Sequence, residues 1–131
     1  MMKENDENDQ LILFKTAELA KEKGFNWETQ AVFTDFNKVP YSNPQEETPY
    51  NWNSRAGYSA PTQSLLQKWL RVIHKIHISV DNTNIPEYDK WCFDIHRLPT
   101  GVIYLWDKSK PVYDSYEEAL EIGLQETLKL I

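Results

Sequence analysis

Apolar positions in the stretch PTQSLLQKWLRVIHKIHISVD, residues 61 to 81, change period once, and the change separates a helix from a strand. Leu65, Leu66, Trp69, Leu70, Ile73 and Ile76 are spaced by one, three or four, which places them on one stripe of a 3.6-residue helix. From Ile76 the period becomes two. Ile76, Ile78 and Val80 then lie on one side and His77, Ser79 and Asp81 on the other, the pattern of a half-buried strand. Pro61 suits a first helical turn, where its missing N–H costs nothing, and either Ser59 or Thr62 can cap the free amides.

The same reading places two more helices. Residues 11 to 23 (LILFKTAELAKEK) are helix formers with Leu13, Phe14, Ala17 and Ala20 as the expected apolar face. Gly24 stands where a left-handed C-terminal residue is wanted, and Phe25 follows to fold back on the helix. The last helix starts at Ser115, where Ser115-Tyr116-Glu117-Glu118 fits a capping box, and its stripe is Tyr116, Leu120, Gly123, Leu124, Thr127, Leu128 and Ile131.

Two further strands follow from alternation. Trp91, Phe93 and Ile95 alternate with Cys92, Asp94 and His96, and Pro99-Thr100-Gly101 turns the chain into VIYLW at 102 to 106, which predicts an antiparallel hairpin. Residues 31 to 36 (AVFTDF) suit a short strand. Residues 37 to 60 read as a long loop, because Pro40, Pro44 and Pro49 with several Asn and Ser interrupt any regular element. The expected fold class is α+β, a small antiparallel sheet of three strands, with a possible fourth, and helices packed on one face. Residues 1 to 10 are read as a disordered leader and 11 to 131 as a single domain.

Composition agrees with a folded chain. The 131 residues are 40% hydrophobic and include five Trp and seven Tyr, enough large apolar surface for one core. One cysteine excludes an internal disulfide, and no apolar run of membrane-spanning length or basic-then-apolar leader occurs, so a cytoplasmic protein is expected. A net charge of −6 argues against a general binder of phosphate backbones, although it leaves room for a local basic patch.

TAELAKEKGF at 16 to 25, APTQSLLQKWLR at 60 to 71 and SYEEALEIGLQETLKLI at 115 to 131 resemble a group of small uncharacterised proteins from phages, prophages and other mobile elements of Bacteroides-type gut bacteria. The resemblance implies a setting, a bacterial cytoplasm during carriage or infection. It implies no activity, cofactor or catalytic residue.

Three patterns carry candidate chemistry. Tyr41, Tyr50, Trp52, Arg55 and Tyr58 have the composition of interaction hot spots, so a protein partner is the leading expectation, against burial of the same rings in the chain's own core. Lys68, Arg71 and Lys75 form a basic helix face, with no acidic residue from Thr62 to Val80, and suit nucleic acid or a solvated surface. His77, Cys92, Asp94 and His96 share strand parity and are the alternative enzymatic or metal-dependent site. Zinc needs three or four converging ligands, usually in close pairs, and His74 and His77 straddle a helix–strand junction. No metal, cofactor or catalytic residue is therefore assigned; His77, His96 and Cys92 stand as the candidates. The carboxylates Glu117, Glu118 and Glu121 are accounted for by the start of the last helix, where negative charge meets the helix dipole.

Overall fold

The computed structural model describes residues 9–34, 39–41 and 49–131, and the chain divides after Leu66 into two compact units. The fold class is α+β, with three helices and two small antiparallel sheets.

The first unit opens with helix α1 (Phe14–Glu22). Gly24 adopts φ 92°, and the Phe25 amide then donates to the Ala20 carbonyl at 2.9 Å, the six-to-one bond of a Schellman ending. Phe25 is carried into the core as a result. Ala17 and Ala20 are buried as expected, but Leu13 is 57% exposed: it sits before the helix in extended backbone, and Ile12 takes the buried place.

Strand β1 (Ala31–Phe33) pairs with β2 (Tyr58–Ala60), Val32 opposite Ser59. The possible fourth strand therefore does not join the three-stranded sheet, since β1 belongs to a sheet of its own, and the expectation of a loop through residue 60 is corrected. Three residues between Gly57 and Pro61 are too few to display alternation. Tyr41 bonds Val32 on the other edge of β1, and Tyr50 bridges Thr29 just before it. Phe14 of α1 packs edge-on to Phe33 and Tyr58, with ring centroids 5.4 and 5.1 Å apart. Residues 35–38 and 42–48 of the expected strand and loop lie outside the described residues.

Helix α2 (Gln63–Ile73) runs through the division. Its free amides are met by Thr62, whose hydroxyl accepts from the Leu65 amide at 3.2 Å, by the Gln10 carbonyl, and by the Asp9 carboxylate, which also takes the Ser64 hydroxyl. Of the expected leader, residues 1–8 lie outside the described residues, while Asp9 and Gln10 are held in this cap. Leu66, Trp69 and Leu70 are buried, whereas Ile73 is 51% exposed, because the helix ends there and Lys75 turns the chain at φ 60°. Ile76, which the spacing counts with both elements, begins the strand.

In the second unit β3 (Ile76–Asn82), β4 (Trp91–Arg97) and β5 (Val102–Tyr104) form one antiparallel sheet in that order. The hairpin expected from the alternation is β4–β5, with the Arg97 amide donating to the Gly101 carbonyl at 2.9 Å. Helix α3 (Tyr116–Leu130) packs on the β3–β4 face that carries Ile78 and Phe93. Phe93 also stacks with Tyr104 and Tyr113, at 5.0 and 6.1 Å between centroids.

Candidate functional site

The aromatic residues of the 50–58 segment are held by bonds that begin in the backbone of β1 and its approach. Thr29 exchanges both backbone bonds with Tyr50, and its carbonyl also accepts the Trp52 indole N–H at 2.9 Å. Tyr50 and Trp52 meet edge-on with centroids 5.0 Å apart. Arg55 lies over the Tyr50 ring and donates Nε to the phenolic oxygen at 2.7 Å. Hydrogen bonds from Ser54 and then Arg55 hold the Tyr50 phenol below its ordinary pKa. Both rings remain half-exposed and Arg55 is exposed, so a locally bonded cluster faces solvent.

The other two residues of this group take different places. Tyr41 is 59% exposed on the edge of β1. Tyr58 packs on Phe14 and under the Lys21 ammonium, 4.7 Å from its ring centroid, and so serves the unit's own packing. Beside the cluster, Leu11, Thr29, Ala31, Pro49, Ala60 and Leu65 line an open, largely apolar cleft of about 310 Å³.

Two residues that the sequence did not single out position this segment. Asn53 donates to the Phe25 carbonyl at 2.9 Å and accepts from the Ser59 amide at 2.9 Å, so one side chain joins the short 3-10 turn (Trp52–Ser54) to β2 and to the end of α1. Lys21 donates to the carbonyls of Arg55 and Gly57, both at 2.8 Å. Asn53 sits in an Asn-x-Asn turn signal, and Lys21 had a sufficient local explanation at a helix C-terminus.

On the sheet of the second unit, His77 stands directly opposite His96, Ser79 opposite Asp94, and Asp81 opposite Cys92. The shared face expected from strand parity is therefore present, away from Ile78 and Phe93. Its side chains do not form a nucleophile–base pair. The Cys92 thiol donates to the Asp81 carbonyl at 3.4 Å, and burial, then the Asp94 and Asp81 carboxylates, push its pKa up, away from the thiolate that attack requires. Asp94 accepts the Trp106 amide at 2.7 Å. Burial, then the charges of Arg71 and His96, hold His77 below its ordinary value, and its buried Nδ1 has no hydrogen-bond partner among the described residues. Among the described residues no three His, Cys, Asp or Glu side chains are placed to hold a metal ion.

Of the basic helix face, Lys68 is exposed and Arg71 half-buried, while Lys75 occupies the turn after α2. None of the three forms an ion pair among the described residues. No described helix is long and apolar enough to cross a membrane. No family model, curated protein or solved structure matches this chain.

Proposed function

We propose that the protein acts by binding a protein partner through Tyr50, Trp52 and Arg55, with Tyr41 at the margin, in the cytoplasm of a bacterium carrying a phage or related mobile element. The observation that carries this reading is the Tyr50–Trp52–Arg55 cluster: three residues of the types that dominate interfaces, fixed by hydrogen bonds to the backbone and to each other while still open to solvent. Fixing such side chains beforehand lowers the entropy lost on association. Arg55 spends Nε on Tyr50 and has no carboxylate partner among the described residues, which leaves its outer N–H groups for an acceptor on the partner. The adjacent cleft gives an apolar side chain of that partner a place to enter.

The test is affinity capture from the host with the natural chain and with Arg55→Ala and Tyr50→Ala variants whose circular dichroism matches it. The reading requires a partner retained by the natural chain and lost by both variants. Equal capture by all three would remove it.

A further inference from the structure

The outer face of the second sheet collects nitrogen-bearing side chains at one end, and they come from three elements. His77 and His96 are direct cross-strand partners, which places their β-carbons about 5 Å apart on one face. Arg71, on α2, lies near enough for its charge to act on His77. Gln67 donates Nε2 to the Ile78 carbonyl at 2.7 Å, fixing where the helix lies along β3, and the chain reverses at His74–Lys75, so helix and strand run in opposite directions. Arg71 is one turn beyond Gln67 on the same helix face, a rise of about 6 Å, which spans roughly two strand residues and carries it from the level of Ile78 back past His77 to Ile76.

We propose that Arg71, His77 and His96 form a binding site for a phosphate group. Arg71 is half-buried as a residue and forms no ion pair among the described residues, which leaves its guanidinium available to an anion. The His77 imidazole has a buried nitrogen with no hydrogen bond among the described residues. Two rings and a planar fork approaching from two strands and a helix suit a tetrahedral dianion with oxygens in several directions better than a flat carboxylate. The nearest carboxylate along β4 on this face, Asp94, commits one oxygen to the Trp106 amide. Burial, then repulsion from Arg71 and His96, disfavours a proton on His77, and a bound dianion would oppose that repulsion. A dication would meet the same repulsion, which argues for an anion over a metal here. Lys68, one turn back on α2, adds a further positive charge with no ion pair among the described residues.

The full-length chain is titrated with inorganic phosphate at pH 7 while the His77 and His96 ring signals are followed by NMR, with acetate and chloride at matched ionic strength as controls. The expected result is saturable movement of both rings at millimolar phosphate, with affinity at least fivefold weaker in Arg71→Gln and in His96→Gln. Arg71→Lys, which keeps the charge and loses the fork, falls between, and unchanged β3–β4 amide signals confirm that the sheet is intact. Equal shifts with acetate or chloride, or an unchanged midpoint in folded Arg71→Gln, would overturn the site. A ten-residue thymidine oligonucleotide in the same titration identifies the source. Binding tenfold tighter than phosphate assigns the group to a nucleic-acid backbone, and binding no tighter assigns it to a small phosphate ester.

Discussion

Gly123 of α3 faces Ile78 of β3 so closely that a β-carbon on it would stand 2.9 Å from Ile78 Cγ2 and 3.3 Å from the Phe93 ring. Exposed in a helix, Gly→Ala gains about 1 kcal/mol, whereas forcing an extra carbon into a packed core costs about 1–3 kcal/mol. Here the obstacle is a stiff β-branched side chain held against a ring, so packing wins. Gly123→Ala is expected to lower the urea midpoint by the equivalent of about 1 kcal/mol. In an Ile78→Ala background the same substitution should cost less, a coupling that a double-mutant cycle reads directly.

Asn53→Ala removes bonds to the Phe25 carbonyl and the Ser59 amide together. With each bond worth about 1 kcal/mol and both backbone partners left part-buried, a loss of about 2 kcal/mol is expected in thermal or urea unfolding. The signature beyond stability is faster amide exchange at Ser59 and Arg55, because the turn under Trp52 loses its anchor. Asn53→Asp keeps the acceptor and should recover the Ser59 protection only.

Ser115 accepts the Glu118 amide at 3.0 Å, while Glu118 reaches past the usual capping-box target to accept the Asp114 amide at 2.9 Å. Ser115→Ala should destabilise the chain by about 1 kcal/mol, with fraying confined to the first turn of α3 in hydrogen exchange.

Stability should fall on both sides of neutrality, for opposite reasons. His77 has its folded pKa below its ordinary value of 6.5, so the unfolded chain binds the proton more readily, and stability present above that value is lost as pH falls through it. Cys92 has its folded pKa above its ordinary value of 9.0, so the unfolded chain releases the proton more readily, and stability is lost as pH rises past that value. His77→Gln should flatten the acid limb and leave the alkaline limb. Cys92→Ala should do the reverse, measured as urea midpoints from pH 5 to 10.

The parts of the fold legible in sequence were those set by local chemistry. Gly24 followed by Phe25 announced the end of α1, Ser115 the start of α3, and the period of two put His77, Asp94 and His96 on one face. Long-range backbone pairing was not legible. Tyr58-Ser59-Ala60 becomes a strand because Val32 lies opposite Ser59, and Thr29 finds Tyr50 across twenty residues rich in proline and asparagine, with no periodicity to mark either pairing. The break after α2 was blurred for a different reason. Ile73 and Ile76 are three apart, a spacing that serves a helix, and the residue that turns the chain is Lys75 at positive φ instead of a glycine. The candidate site followed the same rule: its aromatic members could be named from composition, while the bonds from Asn53 to Phe25 and from Lys21 to Arg55 that hold them join residues more than twenty positions apart.

The partner-binding reading is tested most directly by photo-crosslinking in the host, with benzoylphenylalanine placed at Ala56, exposed beside the intact Arg55, and, as a control, at Val102, which is 60% exposed in the second unit. The account predicts a discrete crosslinked protein from position 56, suppressed by Tyr50→Ala, and none from position 102. The same product from position 102, or none from position 56, would contradict it.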